Sequence, residues 1–183
     1  MEQNVNKKIL LHACCAICSG YPITLLKELG YTPVVYFCNP NLNTKEEFDR
    51  RAEAQKQICK EFNVELIIEE YDHKIFLLTS KGLETEPEKG KRCDKCIELR
   101  LKMTAQKAKE LEINEFTTSL TVSPHKNFLK IHSLGENIAK EYNLSYPPMD
   151  FKKKDGFLKT NKISKELNLY RQNYCGCEFS VRK

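Results

Sequence analysis

The sequence predicts an α/β fold: a single domain built on a mostly parallel sheet with helices on both faces. Three observations carry this. Short apolar, β-branched segments alternate with stretches of helical period ten or more residues long, which calls for right-handed crossovers between parallel strands. At 183 residues and 40% hydrophobic content, the chain is long enough for one compact core and short for two. Polar and thiol groups also recur just after each strand, at the edge where parallel sheets bind ligands.

Taken in order, residues 8–12 read as a short buried strand. After a cysteine-rich turn, residues 22–29 have helical apolar spacing that stops at Gly30. Residues 33–38 (PVVYFC) form a second strand, ended by Asn39-Pro40-Asn41, and Thr44 with Glu47 makes a capping box that opens a helix to about residue 62. Residues 65–70 form a third strand, followed by a short helical stretch and a polar loop, 81–90, expected to be mobile. Ile97, Leu101, Ala105 and Ala108 give a helix over 93–111, and residues 116–120 a fourth strand. Ser123-Pro124 is read as the cap of a helix over 124–142. A fifth strand at 144–146, the basic turn FKKKDG, a helix over 162–169 and a cysteine-bearing tail complete the chain. The segment from about residue 150 onward is expected to pack on the active-site edge.

No apolar run nears the roughly 18 residues that cross a bilayer, and the start lacks a cleavable-leader pattern, so a cytoplasmic protein without a membrane partner is expected. The formal charge is +5, but residues 1–90 hold 11 basic and 14 acidic groups while residues 91–183 hold 19 and 11. That C-terminal basic excess fits attraction to phosphate.

Nine cysteines in a chain of this length and compartment point to metal or thiol redox chemistry rather than a disulfide framework. Cys14-Cys15-x-x-Cys18 lies between a buried strand and a helix start, where backbone N–H groups favour thiolate. Cys93-x-x-Cys96 sets two sulfurs on a helix's first turn. A thioredoxin-like role would need a strand directly before that pair, and a loop precedes it. In Cys175-Gly176-Cys177 the glycine lets both thiols face one side, to chelate a metal or close a strained, labile disulfide suited to electron relay. Cys38 and Cys59 sit on apolar faces and are assigned to the core. Zinc would accept four of these thiolates, but an iron–sulfur cluster gives the surplus thiols a purpose.

The ordered motifs LLHACCAIC, YFCNPN, RCDKC, TTSLTVSPHKN, MDFKKKDG and YRQNYCGCEFS, spread over residues 8–180, closely resemble those of the QueH-type epoxyqueuosine reductases. Members of that family reduce epoxyqueuosine to queuosine at the wobble position of tRNA without cobalamin, removing an epoxide oxygen and leaving an alkene. The resemblance implies a [4Fe-4S] cluster on Cys14, Cys15, Cys93 and Cys96. It also implies a redox-active pair at Cys175 and Cys177, and leaves open an additional iron at Cys175, Cys177 or Asp150. The role of Cys18 and the electron donor stay open. The first strand, loop and helix are also similar to the PP-loop or HUP-like nucleotide-binding fold, with cysteines where its Ser-Gly-Gly phosphate loop would lie, so ATP is not expected.

Deoxygenating an epoxide needs two electrons, protons and a group that stabilises charge on the departing oxygen. Asp72, Asp150, His12, His125 and Tyr174 are the proton candidates near the ligand edge. Lys152, Lys153, Lys154, Lys159, Lys162, Arg171 and Arg92 are the candidates for anticodon-arm phosphates. Two competing classes are a zinc-stabilised RNA-binding module and an ATP-dependent tRNA thiolation enzyme.

Overall fold

Continuous apolar runs build the sheet. In a computed structural model, which describes residues 7–181, the strands are β1 (Lys7–His12), β2 (Tyr31–Phe37), β3 (Glu65–Ile68) and β4 (Phe116–Thr118). They pair in the order β3-β2-β1-β4, every pair parallel. The helices are α1 (Gly20–Glu28), α2 (Lys45–Glu61), α3 (His73–Ser80), α4 (Lys91–Glu110), α5 (Phe128–Tyr142) and α6 (Gly156–Glu166).

Side chains alternate across a strand, so the apolar run in β1 serves two cores. Leu10, with Val34 and Tyr36, packs against Ile97 and Leu101 of α4 and Ile131 and Ile138 of α5. Ile9 and Leu11, with Val35, pack against Ile23 and Leu26 of α1 and Ile58 of α2. Ile9, Leu10 and Leu11 are fully buried, each contributing about 1.5–3 kcal/mol.

Several elements differ from expectation for local reasons. β4 stops at Thr118 because its side chain accepts from the Leu120 N–H and turns the chain into a 3-10 segment, Ser119–Val122. The fifth strand is reduced to one parallel bridge between Glu115 and Ser145, just before Pro147-Pro148. α5 is capped by Asn127, whose side chain accepts from the Lys130 N–H, and not by Ser123. α6 begins at Gly156, earlier than expected, because Lys154 and Asp155 take φ of 53° and 61° and turn the chain inward. There a β-carbon on Gly156 would sit 1.7 Å from the Phe151 carbonyl oxygen. The 81–90 loop is held from inside: Arg92 Nη1 donates to the carbonyls of Leu83, Glu84 and Glu86.

The first six residues, where a leader was sought, lie outside the described residues. No described helix is long and apolar enough to cross a membrane.

Candidate metal and redox centre

The chain runs outward from β1 through β2 to β3, then returns to place β4 on the other side of β1. The reversal opens a crevice past the carboxyl ends of β1 and β4. Cys14 and Ser119 meet there: the Cys14 N–H donates to Ser119 Oγ (3.1 Å), and the Ser119 hydroxyl donates to Cys14 Sγ (3.4 Å). A 3-10 turn at Ala16–Cys18 then swings Cys18 back, so that the sulfurs of Cys14, Cys15 and Cys18 all lie within 4.8 Å of one another. The turn is fixed by α6, where the Thr160 hydroxyl donates to the Ile17 carbonyl (2.8 Å).

Three thiols so close share their protons unequally. The S–H groups of Cys15 and Cys18, then Ser119, hold Cys14 well below the ordinary thiol value. Cys15 is pushed up to about 12, chiefly by its bond to Cys14, and Cys18 is raised for the same reason. That direction favours thiolate at Cys14, the form that binds metal.

A second thiol group lies on α4 and the tail. Cys93, Cys96, Cys175 and Cys177 line one small cavity with Arg92, Arg100 and Lys126. Cys96 and Cys177 pack with Phe76 in one apolar cluster, and burial pushes the Cys96 thiol up to about 11, with Arg100 opposing. All nine cysteines are free thiols. Arg100 joins the two groups. It is 3% exposed, no carboxylate pairs with it among the described residues, and its bonds to the Cys96 carbonyl and Asn39 Oδ1 are long, 3.4 and 3.5 Å. The charge-bearing groups its guanidinium senses are sulfurs: Cys96, Cys175, Cys14 and Cys38. A buried cation without a carboxylate is costly, so this setting suits an anionic sulfur centre.

The tail is latched by side chains reaching its backbone. Arg51, buried and paired with Glu47 (2.7 Å), donates to the carbonyls of Cys175 (2.9 Å) and Tyr174 (3.1 Å). The Asn43 N–H donates to the Gly176 carbonyl. Tyr170 donates to Glu47, and His73 bridges the Pro40 carbonyl and Glu178. Gly176 has φ 131°, and a β-carbon there would fall 2.4 Å from Leu42.

The proton candidates separate. His12 is fully buried, with Nε2 on the Cys38 carbonyl (3.0 Å) and Nδ1 on the Thr118 hydroxyl (2.9 Å). Burial, then Arg100, lowers it to about 4. Asp72 caps α3 through the Lys74 N–H, and the Tyr174 hydroxyl donates to Asn43. Among the described residues the Asp150 carboxylate accepts only a long bond, 3.4 Å, from the Lys152 N–H. The His125 side chain has no partner among the described residues and lines a cavity beside Cys93.

Among the basic residues, Arg92 is 2% exposed and spent on the loop carbonyls. It is corrected from phosphate contact to internal support. Lys152 donates to the Lys126 carbonyl, Lys159 lies over the Tyr21 ring, and Arg171 bonds Asn161 and Ser164. Lys162 stands 3.9 Å from Glu166, while Lys153 and Lys154 are exposed. Cys38 and Cys59 are buried in the two cores. Sequence reasoning left Cys18 open, although the CCxxC spacing contained it, and missed Ser119, Arg51 and Arg100. For Arg100 the signal was its position four residues after Cys96, on the apolar face of α4.

This architecture defines a class: a parallel α/β protein whose first crossover, after β1, carries three clustered cysteines. Two solved structures share the fold. They are a predicted subunit of tRNA methyltransferase from Methanocaldococcus jannaschii (TM-score 0.59, 16% identity, 85% of this chain and 74% of that one) and the U34-tRNA thiolase NcsA from Methanococcus maripaludis, described with its [4Fe-4S] cluster (TM-score 0.60, 16% identity, 97% and 62%). The family model for epoxyqueuosine reductase QueH matches residues 9–183. Proteins of that name are 39% identical in Streptococcus pyogenes, over 99% of this chain and 73% of the relative, and 41% identical in Staphylococcus epidermidis, over 96% and 77%. The chain belongs to the epoxyqueuosine reductase QueH family, and its activity class is oxidoreductase.

Proposed function

We propose that this chain, acting as one cytoplasmic domain, reduces epoxyqueuosine to queuosine at wobble position 34 of tRNA. The observation that carries the reading is the compact thiol triad at the switch point in a member of this family. The donor set fits an iron–sulfur group: clustered cysteine sulfurs, with Arg100 as a buried cation beside them. Cys14, Cys15, Cys93 and Cys96 would hold a [4Fe-4S] cluster, with Cys18 close by. When bound, the cluster supplies one-electron transfer and Lewis acidity.

Cys175 and Cys177 supply what a one-electron group lacks. Oxidation of the two thiols to a disulfide releases two electrons and two protons, the amount that converts an epoxide to an alkene and water. We favour this role over a second iron on Cys175, Cys177 and Asp150, because Asp150 is not among the walls of their cavity. A low-potential electron-donor protein would restore the dithiol, and no ATP enters the reaction. Lys152, Lys153, Lys154, Lys159, Lys162 and Arg171 offer phosphate contacts whose strength falls with added salt.

The test is anaerobic reconstitution followed by iron and sulfide analysis, an electron paramagnetic spectrum and assay on tRNA carrying the epoxide. A brown protein that forms queuosine is the expected result. A colourless zinc protein without turnover overturns the reading.

A further inference from the structure

Away from the thiols, a groove of about 460 Å³ runs between the start of α2 and the segment that leads into the tail. That volume falls within the roughly 300–1,000 Å³ of small-molecule sites. No cysteine is among its walls, and two tyrosines are, Tyr170 and Tyr174. Both rings are held at their hydroxyls. Tyr170 donates to the Glu47 carboxylate (3.0 Å) and Tyr174 to Asn43 Oδ1 (2.8 Å), and the Arg51 guanidinium lies 5.3 Å from the centre of the Tyr174 ring. Tyr170 is nevertheless 37% exposed. It therefore presents a flat apolar face to solvent with little side-chain freedom left to lose on binding.

The polar groups of the groove select the kind of ring that fits. Its carboxylates are already answered, Glu47 by Arg51 and Tyr170, Glu46 by Arg50, so a cation finds no unmet acid there. Two groups are left uncommitted. The Asn173 amide has no hydrogen-bond partner among the described residues. Arg171 places one terminal nitrogen on Asn161 and Ser164 and keeps its other N–H groups. An amide offers a donor and an acceptor side by side, which matches the edge of a nucleobase. Arg171 beside it suits the phosphate that joins one nucleotide to the next. Rigid aromatic faces with a polar edge are how unpaired bases are held.

Building on the proposed reductase reading, we infer that this groove receives one unpaired nucleobase of the substrate RNA, a neighbour of the base that is reduced. It is not the reacting base, because no cysteine lines the groove. It is tied to the chemistry all the same, since Tyr174 directly precedes Cys175 and Arg51 holds the carbonyls of both. Stacking on Tyr170 and Tyr174 supplies affinity for any base, and Asn173 supplies choice among bases. The enzyme thereby recognises its RNA through a position that undergoes no reaction.

The experiment measures binding of reconstituted holoenzyme to an anticodon-arm RNA without the epoxide, each loop nucleotide in turn being made abasic. For the wild type, one position next to the wobble base should lower affinity roughly 10-fold when abasic, the scale of one base stacked on an aromatic ring. Tyr170→Leu should lose about the same factor with the intact RNA and be indifferent to that abasic site. Tyr170→Phe keeps the ring and should behave as wild type, whereas a latch defect would appear equally in it, since it too lacks the bond to Glu47. Asn173→Ala, at an exposed residue, should erase the preference among bases at that position with iron content unchanged, and it decides the case if Tyr170→Leu fails to fold. The groove is overturned as a base site if wild type and Tyr170→Leu lose the same factor at every abasic position, or if base preference survives Asn173→Ala. Wild-type holoenzyme that shows the abasic profile yet leaves the epoxide of modified RNA intact under dithionite defeats the reductase reading alone.

Discussion

Two thiol regions serve this protein, and they are positioned by opposite means. Cys14, Cys15 and Cys18 hang from the end of β1, an interior strand whose Ile9, Leu10, Leu11 and His12 are fully buried. Cys175 and Cys177 sit in a tail with no strand or long helix, held by Arg51, Asn43 and His73 through a handful of polar contacts. The first region is fixed by the sheet and is as stable as the fold. The second is fixed by a latch of a few polar contacts, which would suit the dithiol–disulfide exchange proposed for it.

The largest expected effects remove sulfur. Cys14→Ser should empty the metal site, read as lost iron and sulfide and lost turnover. Cys175→Ser or Cys177→Ser should abolish turnover while cluster absorbance stays intact. If either tail variant also loses iron, the two regions are one ligand set and the division between them fails.

Next comes the latch. Arg51→Met leaves Glu47 buried without its partner, at a cost of about 3–5 kcal/mol, read as a drop in the urea midpoint. Replacing both as Glu47→Leu with Arg51→Met should recover most of that stability yet leave the Cys175 and Tyr174 carbonyls untethered. Turnover should then stay low in a well-folded, iron-loaded protein. Full activity in the double variant would show that the latch is only structural.

A smaller effect is expected at Gly176, where φ of 131° and the approach of Leu42 both resist a side chain. Gly176→Ala should cost about 1–3 kcal/mol of local strain, seen as faster proteolysis or hydrogen exchange in the tail, with the triad's iron content unchanged.

The same contrast explains what the sequence made legible. Alternating apolar runs and helical periods were enough for four parallel strands and for the crevice at the end of β1, since both are dictated by local pattern and crossover handedness. The bridge at Ser145 was too short to distinguish from a strand, and the starts of α5 and α6 depended on an Asn127 cap and on positive φ at Lys154 and Asp155. Cysteine spacing exposed the thiols. It did not expose the latch, because nothing near Arg51 in the chain foretells a bond to carbonyls more than a hundred residues away. Arg92 misled for the same reason: a basic residue beside a CxxC pair looks like phosphate contact until its burial is known.

The smallest effect lies on α2, which carries the latch without touching sulfur. The Thr44 hydroxyl accepts from the Glu47 N–H (3.1 Å), but the Glu47 carboxylate turns to Arg51 and Tyr170 and does not close the capping box. Thr44→Ala should therefore cost about 1 kcal/mol, the value of one N-cap, as a parallel shift of the urea transition with unchanged slope. Because Glu47 is held by its other partners, the latch should survive and turnover per folded molecule should match wild type. A loss of turnover beyond the loss of stability would mean that the tail's position depends on the helix start, and the separation between sheet-held and latch-held thiols would have to be redrawn around α2.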